Sequence, residues 1–423
     1  MLPLVFVVGM LLGLLRATPV EQELRTYSNF IGHSVTIQGY VYEDVAVGGN
    51  REQQFKIKDI KIEDKTLSGI VWVSTTSQVE IKRGYKVELN GKIQKGFGNI
   101  SAAVYRPTII SIKDPRTDTA RELRDVFSER IHDNIASPEA ELGVGFLVGQ
   151  KSGLPEDLGT SLQIVGLTHI VVASGYNLTI LVRLARRLFA RISKYQATVA
   201  SSGLIVGFLL VTGMSPSMSR AAIVSGISLA AWYYGRSVHP LVLLPFVAGV
   251  TAFIQPQFVW GDLGWYLSFA AFAGVMIIAP LLQHYFFGPE RPRLFRQIAG
   301  ETIAAQIATM PIIALSFGVI ALYALPSNLL VVPLIPFVMG FVFAAGVCSF
   351  FFPPLAIIFA AISYMLLHYI VIVVETISRT PNAQVDVTFT MHILAIYYIL
   401  LLAVAVYMQR KTKHDFRQNN IIE

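Results

Sequence analysis

A series of long apolar segments beyond residue 166 restricts this chain to a fold that lies in a lipid bilayer. Hydrophobic residues make up 53% of the 423 residues and charged residues only 14%, proportions that exclude an ordinary soluble domain. Each segment approaches the ~20 residues that a helix needs to cross the hydrocarbon core. With an N-terminal anchor over 1–16, we predict a polytopic α-helical membrane protein with about ten spans. The apolar segments cover 166–182, 197–213, 219–235, 240–256, 263–285, 301–324, 328–351, 354–377 and 392–408.

Clusters of basic residues predict the orientation of these spans. Four spans separate the first cluster from the second, and four separate the second from the third, so all three fall on one side of the membrane. Basic loops favour the cytoplasm. We therefore predict a multi-pass protein of the cytoplasmic membrane, with a basic cytoplasmic tail over 409–423 and the polar N-terminal region outside. The clusters are Arg183, Arg186, Arg187, Arg191 and Lys194; Arg291, Arg293 and Arg296; and Arg410, Lys411, Lys413 and Arg417.

Residues 27–113 differ from the apolar segments and predict a small β domain. Short alternating runs rich in Val, Ile, Thr and aromatic residues are separated by turn signals such as Gly48-Gly49-Asn50. Five such strands favour a five-stranded barrel of the OB type. The predicted strands cover 34–42, 55–62, 69–73, 85–93 and 99–111.

This β domain mixes basic and aromatic side chains, as sites for single-stranded nucleic acid do. Between residues 25 and 130 there are 17 Lys and Arg against 13 Asp and Glu. Cations follow the phosphates, and flat rings stack on bases without reading their sequence. Most of the aromatic residues are expected to pack the barrel, and an excess of this size is common on a solvated face. The candidates for an external binding surface are Lys56, Lys58, Trp72, Lys82, Arg83, Lys86, Lys92 and Lys95.

Residues 114–163 predict an amphipathic helical connector. Leu123, Phe127 and Ile131 recur at helical spacing among charged residues, so a helix over 114–137 is expected to lie against the membrane or the barrel. Farther along, Gln150 separates Gly149 from Lys151. This spacing fails the Walker A pattern, and we predict no nucleotide binding.

Polar residues inside the apolar segments are candidates for the wall of a transport path, because lipid cannot satisfy them. A phosphate contact or an ion pair would explain Arg220, and the alternative is an interfacial arginine that reaches the headgroups. Capping and interhelical hydrogen bonds are the alternatives for most of the others. Pro311, Pro333 and Pro336 are expected to interrupt their helices. The conduit candidates are His169, Ser174, Asn177, Arg220, Asp262, Gln306 and Asn328.

Several motifs in these segments occur together in one known family. The run His169-Ile-Val-Val-Ala-Ser-Gly-Tyr-Asn-Leu is similar to its His-Leu-Leu-Ala-Ile-Ser-Gly-Leu-His-Ile motif. Ser215-Pro-Ser-x-x-Arg220-Ala, Gly261-Asp-Leu-Gly-Trp-Tyr-Leu-Ser-Phe-Ala-Ala271 and Ser327-Asn-Leu-Leu-Val-Val-Pro333 follow in family order. The chain thus resembles the ComEC/Rec2 competence family of inner-membrane DNA-uptake channels. The resemblance implies a transmembrane channel domain, placed here at 164–408, that passes single-stranded DNA into the cytoplasm during natural transformation.

Two features depart from the family pattern. Asn177 stands where the motif has its second histidine, so no proton or metal role is expected at that position. Many members also have a C-terminal metallo-β-lactamase-like domain, thought to degrade the strand that is not transported. This chain has no His-x-His-x-Asp-His run. We expect the form without that domain, with no nuclease centre, metal or cofactor.

Three classes of function fit the sequence, and a DNA channel rather than an enzyme fits it best. A secondary transporter of a small anionic solute would have paired inverted repeats. An intramembrane enzyme would have to use a pair such as His169 and Ser174. The predicted partners are single-stranded DNA, the lipid bilayer, a cytoplasmic motor or single-strand-binding protein, and an external DNA receptor or nuclease. The oligomeric state is not predicted.

Overall fold

The computed structural model divides the chain into two compact units. One contains residues up to 123 together with 249–263, and the other contains 124–248 and the residues from 264 onward. The predicted anchor apart from Arg16, the candidate Ser174 and the tail beyond Lys413 lie outside the described residues. Those described are 16, 25–47, 52–63, 65–76, 79, 81–113, 119–149, 153–171, 175–213, 216–236, 238–290, 292 and 294–413.

The first unit is built around a closed β-barrel. Five strands form a ring in the order β1-β3-β5-β7-β6 and back to β1; β5 and β7 pair in parallel, and the other neighbours are antiparallel. β2 and β4 pair with β3, and β8 pairs with β6. The predicted five-stranded barrel is confirmed. The strands are β1 (Ser34–Val41), β2 (Ala46–Val47), β3 (Gln53–Ile62), β4 (Lys65–Leu67), β5 (Val71–Thr75), β6 (Lys86–Lys95), β7 (Ala102–Tyr105) and β8 (Thr108–Lys113).

The interior of the barrel follows from the alternation of its sequence. Successive residues of a strand point to opposite faces, so every second apolar side chain is enclosed. Ile37, Ile57, Val73, Leu89 and Val104 come from the five ring strands and are wholly buried. Such side chains contribute about 1.5–3 kcal/mol each when fully buried.

The predicted fifth strand, 99–111, is two strands in the structure. Arg106 adopts a left-handed φ of 48° between β7 and β8. Pro107 follows, and it has no N–H with which to continue the strand pairing. Gly91 of β6 lies against this break, where a Cβ would come within 2.6 Å of Val104 Cγ1. The chain therefore leaves the ring at Arg106, and β8 pairs with β6 outside it.

Helices make up most of the described chain after the barrel. A π-helical turn, Gly274–Ile278, lies inside α9, and 3-10 turns cover Pro256–Trp260 and Val332–Leu334. Two short strands, β9 (Val319–Ala321) and β10 (Gln384–Asp386), pair with each other. The helices are α1 (Thr119–His132), α2 (Glu139–Val148), α3 (Glu156–Ile164), α4 (Thr168–Val171), α5 (Gly175–Ala190), α6 (Lys194–Thr212), α7 (Pro216–Tyr233), α8 (Pro240–Ile254), α9 (Leu263–Phe287), α10 (Leu294–Phe317), α11 (Ala324–Val331), α12 (Ile335–Phe351), α13 (Pro353–Ser378) and α14 (Met391–Thr412).

Six helical stretches of the described chain are long and apolar enough to cross a membrane. They are α6, α9, α10 from Arg296, the stretch Ala324–Phe351 that joins α11 to α12, α13 and α14. A shorter apolar helix covers Val242–Ile254. These helices are those of a membrane protein. The count of about ten spans and their orientation remain predictions.

The centre of the helical unit contains much of the predicted connector. Nine of the ten residues of α2 are buried, and their apolar side chains join one core with residues of α12 and α13. Ile131 and Ile135, at and beyond the end of α1, belong to the same core. Gly346 of α12 faces the ring of Phe127, where a Cβ would lie only 2.4 Å away. Residues 124–163 are therefore part of the packed helical unit.

Pro311 does not interrupt its helix, contrary to expectation. α10 continues through it to Phe317. Because proline has no N–H, the carbonyl of Ile307 lacks its donor within the helix. The hydroxyl of Tyr397 in α14 donates to this carbonyl at 2.9 Å, and Tyr398 donates to the carbonyl of Ala308 at 2.7 Å. Pro333 lies in the 3-10 turn, and Pro336 lies in the first turn of α12.

Candidate functional site

The outer face of β5 and β7, with the segment between β6 and β7, carries a group of aromatic rings, which we call the aromatic face: Trp72, Phe97 and Tyr105. The Trp72 ring meets the edges of Phe97 and Tyr105, with centroids 5.9 and 5.1 Å apart. Phe97 is 52% exposed and Tyr105 is 46% exposed. Lys56 is the register partner of Trp72 across the sheet. This surface presents flat apolar rings beside an amine.

The lysines near the aromatic face have local partners. Lys56 Nζ lies 2.9 Å from Glu43 Oε2. Lys58 Nζ lies 3.5 Å from the centroid of the Tyr42 ring. Burial lowers the pKa of Lys58 below its ordinary value, and burial also raises the pKa of Tyr42 to about 12, with the charge of Glu43 as a further cause. Lys58 is therefore half-buried and in contact with a ring of its own chain.

The Glu52 carboxylate and the Arg106 guanidinium form an ion pair at the end of this face. Glu52 accepts hydrogen bonds from Arg106 Nη2 at 3.0 Å and from Ser74 Oγ at 2.9 Å. The bond from Arg106 is the largest cause that holds the pKa of Glu52 below its ordinary value. The positive charge of Arg106 is thus matched within the barrel.

The other external candidates lie on β6 or in the segment before it. β6 pairs with β7, which ends in Tyr105, and Lys95 at the end of β6 lies two positions before Phe97. Arg83 is buried, and its carbonyl accepts a hydrogen bond from the guanidinium of Arg121. The binding role of all the external candidates stays a prediction. Those of β6 and the segment before it are Lys82, Arg83, Lys86, Lys92 and Lys95.

Asp262, a conduit candidate, contacts a loop of the barrel. Asn99 Nδ2 donates to Asp262 Oδ2 at 2.5 Å, and Asp262 is buried. Beside this bond two glycines meet: a Cβ on Gly98 would lie 2.8 Å from the Gly261 carbonyl oxygen. Only residues without side chains allow this approach. The contact gives Asp262 a local structural partner within the first unit.

Arg220 of α7 occupies a polar and aromatic setting in the helical unit. Its Nε donates to Ser268 Oγ of α9 at 2.5 Å, and Ser268 Oγ donates to Ser217 Oγ at 3.3 Å. The guanidinium carbon lies 5.9 and 5.3 Å from the ring centroids of Phe269 and Phe272. Among the described residues, no carboxylate forms an ion pair with it. A planar cation without an acidic partner is suited to an anion such as phosphate.

The first residue of α5 also borders Arg220. A Cβ on Gly175 would lie 3.0 Å from Arg220 Nη2 and 2.8 Å from the Cβ of Ala221. The backbone at Gly175 therefore approaches α7 closely because this position is a glycine. Ser217 and Ser268 both lie inside motifs quoted above, but sequence reasoning did not select them, since only the packing of α7 on α9 joins them to Arg220.

The other residues of the first motif have different surroundings. Asn177 is completely buried and donates from Nδ2 to the Phe146 carbonyl at 2.9 Å, which connects α5 to α2. His169 is exposed, and its Nδ1 lies 3.0 Å from the carbonyl oxygen of Gly166. The structure does not bring Asn177 and His169 together as partners. Their part in a conduit stays a prediction.

Gln306 and Asn328 have unpaired amide oxygens. Gln306 Oε1 in α10 and Asn328 Oδ1 in α11 are buried and accept no hydrogen bond from any described residue. A buried acceptor without a donor costs roughly 1–3 kcal/mol. Both positions would therefore bind a hydrogen-bond donor from outside the chain favourably.

Comparison with known proteins relates this chain to one family. The family model described as Competence protein matches residues 146–411. ComE operon protein 3 of Bacillus subtilis (strain 168) is 24% identical over 192 residues, which cover 45% of this chain and 24% of that protein. The match thus spans about a quarter of that relative's length. No solved structure matches the chain significantly.

Proposed function

Because the chain belongs to the Competence protein family, we propose that it carries single-stranded DNA across the cytoplasmic membrane during natural transformation. Family membership supports a role in DNA uptake, and the apolar helices support a location in a membrane. The passage of single strands is our own inference from Arg220 and from the barrel. The chain acts in this proposal as a channel and not as an enzyme.

The setting of Arg220 carries the proposal. An arginine at the centre of a membrane helix costs about 2.5–3.5 kcal/mol on insertion scales, and ionisable residues in such segments mark functional sites by default. Arg220 lies near one end of the predicted span 219–235, where this cost is smaller. Here the guanidinium is oriented by a serine hydroxyl and two aromatic rings, and no described carboxylate neutralises it. A DNA phosphate would supply the missing anion. Gln306 and Asn328 would add hydrogen bonds along the same polar path.

The barrel is proposed to collect the strand outside the membrane. In OB-type barrels the second and third strands and the loops beside them bind oligonucleotides. In this chain β3 and β5 take those positions; β5 carries Trp72 of the aromatic face, and β3 carries Lys56 beside it. Bases would stack on the three rings, while Lys56 and the lysines of β6 would follow the phosphates. The basic clusters support an external barrel and a cytoplasmic C-terminus.

We expect partner proteins to drive the transport. Each phosphate that moves inward against an inside-negative potential meets an opposing free energy of about 2.3 kcal/mol per 100 mV if it crosses the whole field. This term recurs for every nucleotide. A cytoplasmic motor or single-strand-binding protein would pull or trap the strand, and an external receptor or nuclease would present it.

Uptake of labelled single strands into cells tests the proposal. Arg220→Ala should abolish uptake, and Arg220→Lys should restore part of it, because lysine keeps the charge but loses the planar fork. Arg379→Ala is the matched control, since this exposed arginine, just after the end of α13, bonds Glu375 of that helix at 3.1 Å. Normal uptake by correctly inserted Arg220→Ala protein would show that Arg220 is structural.

The same cells separate DNA from a small anionic solute, which a half-buried arginine without a carboxylate partner would also suit. Unlabelled oligonucleotides should compete with the labelled strand, and mononucleotides at equal phosphate concentration should not. Competition by mononucleotides alone would favour the transporter.

A further inference from the structure

A buried carboxylate and a membrane-helix histidine form a pair that the proposed path does not use. Glu139 begins α2, and His368 lies near the middle of the candidate span α13. His368 Nδ1 is 2.8 Å from Glu139 Oε1. The Glu139 side chain is only 4% exposed, whereas that of His368 is 49% exposed. The Glu139 carboxylate is therefore enclosed, whereas the chain covers only about half of the His368 side chain.

The surroundings of the pair contain few other groups that could hold a charge. The Tyr364 ring, one turn earlier in α13, stacks on His368 with centroids 5.5 Å apart and planes 11° apart. The helices packed most extensively on α2 and α13 are α3, α4, α6, α11 and α12, and α1 and α5 reach α2 through His132 and Asn177. Among the described titratable side chains of all these helices, only Tyr364 contacts the pair. The others are Arg121, Glu122, Arg124, Asp125, Glu129, Arg130, His132, Glu141, Glu156, Asp157, His169, Arg183, Arg186, Arg187, Lys194, Tyr195, Cys348, Tyr369 and Glu375.

These other groups are engaged elsewhere or have no contact with the pair. Glu375 is bonded to Arg379, and Glu141 Oε1 lies 3.7 Å from His132 Nε2. Glu139 has no hydrogen-bond partner besides His368 among the described residues. One imidazole thus determines whether the enclosed carboxyl is neutralised.

A carboxylate and an imidazole in contact can hold one proton between them, and the pair is neutral overall whichever partner carries it. An uncompensated charge is costly away from water, so a neutral pair suits an enclosed position. The hydrogen bond can form with the proton on either partner. Ionisable residues of this kind in membrane segments are associated with proton relays.

We propose that Glu139 and His368 form a proton-binding site in the helical unit. His368 exchanges the proton through Nε2, on the edge of the ring away from Glu139, and Glu139 holds it in the enclosed position. Gain or loss of the proton changes the charge between α2 and α13 by one. Coupling of this change to the passage of DNA rests on the proposed function, but the binding of the proton does not.

Infrared difference spectroscopy of the full-length protein in lipid nanodiscs, between acidic and alkaline buffer, tests the site without any DNA. The parent protein should show the band of a carboxyl group that gains a proton on acidification. Glu139→Gln should lose this band, although glutamine can keep the hydrogen bond to His368. His368→Gln should shift the band. Glu141→Gln, which removes a partly buried carboxyl two residues away, should leave it unchanged.

The outcomes separate a proton site from a structural contact. Identical spectra for the parent and Glu139→Gln would show that Glu139 exchanges no proton, and would overturn the proposal. If Glu139→Gln removes the band but His368→Gln does not shift it, Glu139 binds its proton without His368. That result would also overturn the proposal. DNA uptake by the same variants is then measured with and without a pH gradient. A normal spectrum in a protein that takes up no DNA would refute the transport proposal only.

Discussion

The charged residues of the barrel and those of the helical unit have different kinds of partners. On the barrel, Lys56 is paired with Glu43 and Arg106 with Glu52, each at the surface. In the helical unit, Arg220 is held by a serine and two phenylalanine rings. Water screens the barrel pairs, so they contribute little to stability and say little about function. Arg220 belongs to the predicted span 219–235, where a bilayer would offer no such screening. A polar group there would be expensive, and its position would therefore be informative.

The two units also differ in where apolar side chains lie, and this difference predicts the largest effect. Ile57 is fully buried in the barrel, whereas Ile399 of α14 is 66% exposed. Ile57→Ala should destabilise the barrel by about 2–5 kcal/mol. Ile399→Ala should change little, because lipid replaces what the chain does not cover. Hydrogen exchange of the full-length protein, followed by mass spectrometry, reports both units. Equal loss of protection in the two variants would contradict the comparison.

A second prediction concerns the function of the barrel surface. Trp72→Ala should weaken the binding of an oligo-dT strand by roughly 1–3 kcal/mol, the value of one stacked base. Binding to the parent protein should also fall steeply as salt rises, because phosphate neutralisation releases counterions. Fluorescence anisotropy with the full-length protein measures both effects.

Ile110→Ala is the matched control for Trp72→Ala. Ile110 is an exposed apolar residue of β8, a strand that pairs only with β6 in the described sheet. If the two variants bind equally well, the aromatic face has no special role. Affinity that did not change with salt would contradict the lysine contribution.

The barrel could be predicted because the signals for its strands lie within short stretches of the sequence. Alternating apolar residues determine which side of each strand is buried, and Pro107 already signals the break that the sequence reading overlooked. Arg220 could be found because a charge in an apolar run is conspicuous by itself. Its partner Ser268 could not, since it depends on how α7 packs on α9. The pair of Glu139 and His368 was missed for the same reason: 229 positions separate its members.

A third prediction compares two neighbouring hydroxyls within the helical unit. Tyr397→Phe should leave the Ile307 carbonyl unpaired, because Pro311 cannot donate to it, and should loosen α14 from α10 by on the order of 1 kcal/mol. Tyr398→Phe should have a smaller effect, since the Ala308 carbonyl keeps the helical donor at position 312. Thermal unfolding in detergent ranks the two variants. A larger loss for Tyr398→Phe would show that the proline is not the cause.

The smallest expected effect tests whether the surface pairs of the barrel are as weak as the comparison requires. The hydrogen bond from Arg106 holds the pKa of Glu52 below its ordinary value of 4.5. A carboxyl whose pKa is lower in the folded chain stabilises the fold fully above the unfolded pKa, and this contribution disappears as pH falls through the folded value. Barrel stability should therefore decline slightly below about pH 4.5, and less so at high salt. Glu52→Gln and Arg106→Ala should each remove this part of the decline. The measurement is hydrogen exchange of the full-length protein in urea, which gives the urea midpoint at which peptides from the barrel lose protection, repeated at several pH values. A steep decline that both variants abolish would mean that the pair is strong, and that the barrel depends on its surface charges as much as the helical unit depends on its buried ones.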